Sequence, residues 1–95
     1  MNSELRIKRK QIAFSEYQSI LLPIGSKIID FTFIDKKPYI VYLFEYEKEN
    51  EVERVGLFIG KTMEYSSSFV GDIEKLQYVN YAMIEMTSYY LFIQK

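Results

Sequence analysis

Cysteine, histidine and tryptophan are absent from this 95-residue sequence, which holds only two prolines and four glycines. Without cysteine there is no disulfide framework and no thiolate nucleophile. Without histidine the commonest general base near neutral pH is missing. With both gone, zinc and iron lose their usual ligands and only carboxylates remain for hard cations. The glycines, Gly25, Gly56, Gly60 and Gly71, stand alone and build no phosphate-cradling loop. Long apolar runs are missing as well. The longest, YIVYLF from Tyr39 to Phe44, falls far short of the roughly 20 residues needed to cross a bilayer. The opening MNSELRIKRKQIAF is charged where a secretory signal would be apolar. No strong charge of one sign is present: a net charge of -1 and a pI near 5.5 exclude a general nucleic-acid binder, which needs a basic excess to displace counterions.

What is present is aromatic. Nine tyrosines and seven phenylalanines make up 17% of the chain, whereas alanine, the strongest helix former, occurs only at Ala13 and Ala82. A chain this short supports one domain, 1–95, with a modest core. The composition predicts a mainly β fold: a small antiparallel sheet or partly closed barrel of five to seven strands.

The punctuation agrees. In Leu22-Pro23-Ile24-Gly25 the proline and glycine predict a chain reversal between YQSILL and KIIDFTFID. Ile29, Phe31 and Phe33 then share one face of a strand, against Ile28, Asp30, Thr32 and Ile34. A turn at Asp35–Pro38 leads into a strand with Tyr39, Val41 and Leu43 opposite Ile40, Tyr42, Phe44 and Tyr46, apolar on both faces and therefore central or covered on both sides. The polar break at Lys48–Glu51 precedes VERVGLFIG, in which Val55, Leu57 and Ile59 alternate with Arg54, Gly56 and Phe58. The succession reads as an antiparallel meander, and no internal repeat is visible. KTMEYSSS reads as a loop around Ser66–Ser68, and Met1 to Glu4 as a frayed end. Beyond it the reading forks. FVGDI and YVNYAMIEM make strands, or a helix over 72–86 starts at an Asp72 cap and lines up Ile73, Leu76, Val79, Met83 and Met86 in one stripe, an α+β alternative.

These features together resemble a family of short, β-rich, uncharacterised proteins encoded by bacteriophages and prophages. The resemblance spans residues 8–95 and rests on Pro23, Gly25, Pro38, Gly60, Phe69, Gly71 and the closing aromatic strand YYLFIQK. The chain departs from the family at Lys61, where a small hydroxylated residue is usual, and in the longer DIEKLQYVNYAMIEM. The resemblance implies a phage origin and a place in the host cytoplasm. It implies no chemistry.

The residues themselves point to no catalytic group, no cofactor and no metal. The alternating Glu45, Glu47, Glu49, Glu51 and Glu53 lack the spacing of a calcium loop and read as a solvated charge run. Charge is instead segregated: residues 1–37 carry seven Lys/Arg against four Asp/Glu (+3), and residues 38–95 carry five against nine (-4). The RIKRK stretch places Arg6, Lys8 and Lys10 on one side of a strand and Arg9 with Ile7 on the other, either as a defended edge or as a patch for nucleic acid or an acidic partner. Tyrosine joins a large apolar face to a polar tip, so Tyr39, Tyr42, Tyr46, Tyr89 and Tyr90 are candidate partner-binding residues beside the basic set. The expectation is a non-enzymatic phage accessory protein. It would bind a host protein stoichiometrically and inhibit it, such as a CRISPR or nuclease component of antiviral defence. The alternatives are a homo-oligomeric sponge that stacks a nucleotide signal on aromatic rings with RIKRK at its phosphate, and a virion structural or assembly protein.

Overall fold

The computed structural model describes residues 4–62 and 72–94. Within them the chain forms seven strands: β1 (Leu5–Gln11), β2 (Tyr17–Pro23), β3 (Lys27–Ile34), β4 (Lys37–Glu45), β5 (Val52–Lys61), β6 (Leu76–Ile84) and β7 (Thr87–Gln94). All the pairings are antiparallel, in a three-stranded sheet of order β1-β4-β3 and a four-stranded sheet of order β2-β5-β7-β6. The mainly β fold is therefore observed. The loop and strand start expected across 63–71, including Phe69 and Gly71, and most of the frayed start lie outside the described residues.

The helix expected over 72–86 is not formed. Asp72 does cap a turn, its side chain accepting from the Glu74 backbone N–H at 3.0 Å, but the turn is a single 3₁₀ turn at Ile73–Lys75 that runs straight into β6. The apolar spacing was misleading because its residues do not share a surface: Leu76 lies on the outer face with Tyr78, Val79 packs toward the core, and Ile73 and Met86 are exposed turn residues. β6 carries a bulge at Val79, between the pairs Tyr78↔Phe92 and Asn80↔Leu91. Ile29 is the corresponding bulge in β3, so the buried face of that strand is Ile28, Phe31 and Phe33 rather than Ile29, Phe31 and Phe33.

The meander is likewise corrected. Only β3–β4 and β6–β7 are hairpins, each closed by two residues of positive φ, Asp35–Lys36 and Glu85–Met86, as type I′ turns require. The proline–glycine turn does reverse the chain, one residue later than expected: Ser26 N donates to Pro23 O at 3.0 Å and Gly25 takes φ 80°, the left-handed third position of a type II turn. Instead of joining partners in one sheet, it carries the chain from one sheet to the other. The glutamate run is also dispersed: a 3₁₀ turn at Tyr46–Lys48 interrupts it, Glu49 meets Lys8, and Glu53 accepts from the Gly25 N–H.

The pairing register contains an internal repeat. In the first sheet Arg6, Lys8 and Lys10 face Phe44, Tyr42 and Ile40; in the second Gly56, Phe58 and Gly60 face Gln94, Phe92 and Tyr90, each partner 50 residues further along. The same increment carries the bulge at Ile29 to Val79, the turn Asp35–Lys36 to Glu85–Met86, and the bond Ile12 N→Pro38 O (3.0 Å) to Thr62 N→Ser88 O (3.2 Å). Two copies of one three-stranded unit, β1-β4-β3 and β5-β7-β6, thus meet along β3 and β6. Asn80 Nδ2 donates to Asp30 Oδ1 at 2.7 Å, and Lys36 pairs with Glu85 at 2.8 Å, so the two strands run parallel along this seam. Each Asx residue also accepts from the next backbone N–H in its own strand at 2.8 Å. The units are turned over relative to each other. Ile40, Tyr42 and Phe44 face the core in the first, but Leu91 and Ile93 do so in the second, one position out of phase. Turning a unit over exchanges the positions that must be apolar, which is why the sequence hides the repeat.

The core lies between the two sheets: Ile28, Phe31, Ile40, Tyr42 and Phe44 from one, Leu22, Leu57, Ile59 and Leu91 from the other, and Ile12 from the connection between β1 and β2.

Candidate functional site

β1 is an edge strand, and every residue in it is exposed. Its ladder is fixed at both ends: Tyr46 N donates to Glu4 O at 2.8 Å and Ile12 N to Pro38 O at 3.0 Å. Because antiparallel bonds alternate, Arg6, Lys8 and Lys10 turn their backbone groups toward β4, and Leu5, Ile7, Arg9 and Gln11 turn theirs away. Among the described residues those outward N–H and C=O groups have no partner. The basic side chains lie against aromatic rings of their own sheet. The Arg6 guanidinium is 4.7 Å from the Tyr46 ring centre, the Lys8 ammonium 5.6 Å from Phe44, and the Arg9 guanidinium 5.4 Å from Tyr39. Arg6 also pairs with Glu4 at 3.1 Å and Lys8 with Glu49 at 2.6 Å. The hydrogen bond from Glu49, reinforced by its charge, holds the Lys8 ammonium above its ordinary pKa.

The structure brings together Arg6, Lys8, Arg9, Lys10, Tyr39 and Tyr46 along this edge. It separates the other three tyrosines from them. Tyr42 points into the core at 9% exposure and is not available to a partner, because the central strand β4 turns its even-numbered residues inward. Tyr89 is half-buried and packs edge-on against Phe14 (5.0 Å) and Phe33 (5.6 Å), also on the core side. Tyr90 lies on the opposite face of β7, its hydroxyl accepting from Thr62 Oγ1 at 3.3 Å.

That face carries a second feature, which residue counting missed. Tyr17, Phe58, Phe92 and Tyr78 occupy one cross-strand row over β2, β5, β7 and β6, with successive ring centres 5.0, 5.8 and 5.6 Å apart. Tyr81 and Tyr90 form part of the next row at 5.9 Å. Gly60 leaves space beneath it, since a Cβ there would stand 3.2 Å from the Phe58 ring. A cavity of about 390 Å³ opens between Phe58, Tyr78, Tyr90 and Phe92, with Lys61 at its rim. Only the strand register shows that these rings align. Since β1 belongs to the other sheet, the RIKRK cations do not line this cavity.

Comparison with family models, with curated proteins and with solved structures found no match. Among the described residues no helix is long and apolar enough to cross a membrane.

Proposed function

We propose that the protein is a non-catalytic phage accessory factor that acts in the host cytoplasm by stoichiometric binding to a host protein, a component of antiviral defence, and that its binding surface is the basic β1 edge. One observation carries the reading: a fully exposed strand with four cations, three of them held over aromatic rings, beside Tyr39 and Tyr46. Ring contact orders long basic side chains before a partner arrives, which reduces the entropy lost on binding. The test is affinity capture from host lysate with the wild type, Arg9→Glu and Tyr78→Ala. A host protein retained at a fixed ratio by the wild type and Tyr78→Ala, and lost with Arg9→Glu, supports the proposal; a capture pattern indifferent to Arg9→Glu contradicts it.

A second reading has its own support in the aromatic cavity between Phe58, Tyr78, Tyr90 and Phe92, whose rings suit a stacked nucleobase. On that reading the protein sequesters a nucleotide signal. Calorimetric titration with cyclic nucleotides distinguishes the two, because only the sponge predicts heat that disappears in Tyr78→Ala.

A further inference from the structure

We propose that the open edge of β1 accepts an acidic, extended segment of a partner protein as an added antiparallel strand, a mode of binding that rests on the protein-binding role proposed above. The internal repeat supplies the first argument. Adding 50 to the outward residues Leu5, Ile7, Arg9 and Gln11 gives Val55, Leu57, Ile59 and Lys61. On β5 that edge is filled: β2 pairs along it, and Ile59 N donates to Glu16 O at 2.9 Å. The same ladder therefore carries a fourth strand in one unit and, among the described residues, none in the other.

Charge selects the occupant. β1 holds Arg6, Lys8, Arg9 and Lys10 and no acidic residue. Two copies pairing antiparallel about Lys8 would set Lys8 against Lys8 and Arg6 against Lys10, so like charges oppose self-association through this edge. An acidic strand meets no such penalty. The chain's own carboxylates already settle on two of these cations, Glu4 on Arg6 and Glu49 on Lys8, while Arg9 and Lys10 have no acidic partner among the described residues. Alternation refines the match. Side chains of an added strand that share a face with Arg6, Lys8 and Lys10 are acidic, and those that share a face with Leu5, Ile7 and Arg9 are apolar except for an acidic one at Arg9, so the partner segment alternates the two kinds over most of its length.

The test is titration of labelled peptides, observed by fluorescence anisotropy at low salt. The probes are an alternating Glu/Val nonapeptide, its Lys/Val counterpart, and the Glu/Val peptide N-methylated at its valines, which share the face of Leu5 and Ile7 and so turn their N–H groups toward β1. Saturable binding of the acidic peptide, absent for the basic one and weakened roughly tenfold or more by N-methylation, supports strand addition, since each lost interstrand bond weakens a peptide measurably. The variant Ile7→Pro removes an outward N–H without touching the β4 ladder and gives the same loss, all four charges being kept. An acidic peptide that binds equally well after N-methylation, and that Arg9→Glu abolishes, docks by side chains: strand addition is then wrong and the protein-binding role stands. Absence of acidic-peptide binding overturns the proposal by showing the edge already occupied or inert. A concentration-dependent dimer that Ile7→Pro abolishes overturns it in favour of a second copy.

Discussion

At the scale of single residues, position on a pleat decides what a tyrosine does. Tyr39 and Tyr42 sit three residues apart on one strand, yet Tyr39 donates to Gln11 at 3.3 Å beneath Arg9, and Tyr42 fills the core. Tyr42→Ala is expected to lose about 3–5 kcal/mol of stability by opening a cavity, as large-to-small aromatic changes do, whereas Tyr39→Ala unfolds in urea close to wild type. Denaturant melts of the two variants check this. Gly60→Ala sets a methyl group 3.2 Å from the Phe58 ring, so the ring must shift by a few tenths of an ångström, and a net cost of about 1 kcal/mol is expected. The Lys8–Glu49 contact has a defined pH window. Because the Lys8 pKa is raised above 10.5, the stabilisation is fully present below the ordinary lysine value and is lost as pH rises through the raised one. Stability at neutral pH is therefore insensitive to this pair, and its loss appears only in alkaline melts of the wild type that Lys8→Met does not share.

At the scale of elements, hairpin turns and the seam carry the strain and the specificity. Met86 holds a left-handed backbone at φ 66° and is 94% exposed, so nothing in packing offsets the cost of a β-carbon there. Met86→Gly is expected to stabilise the protein by about 1 kcal/mol, read as a higher urea midpoint. Across the seam, Asn80→Asp would set two carboxylates where an amide now donates to Asp30 at 2.7 Å. Like charges favour protonation, so that variant is weakened at neutral pH and recovers relative to wild type as pH falls through the carboxylate range. The strands, the tight turns and the central position of β4 were legible because alternation and turn chemistry are local. The fork at residues 72–86 went the way of aromatic and β-branched content, and the helical spacing there joined residues from both faces of β6 and from the turns at its ends. What was not legible depends on pairing: a reversal at Pro23–Ser26 looks the same whether it joins neighbours or changes sheets. The aromatic row of Tyr17, Phe58, Phe92 and Tyr78 spans 75 positions of sequence, from 17 to 92, and exists only through register.

At the scale of the whole molecule, one ladder used twice yields two different surfaces. Turned over at the Asp30–Asn80 seam, the second unit exposes its aromatic face, while the first presents a cationic edge. The asymmetry between the two outer edges is the claim on which the binding account stands, and amide hydrogen exchange resolved by residue in the isolated, dilute protein measures it directly. Leu5, Ile7, Arg9 and Gln11 should exchange quickly while Arg6, Lys8 and Lys10 are protected, and their equivalents Leu57 and Ile59 should be protected under β2. Equal, strong protection of Ile7, Arg9, Leu57 and Ile59 would mean that both edges are already filled, and would contradict the account.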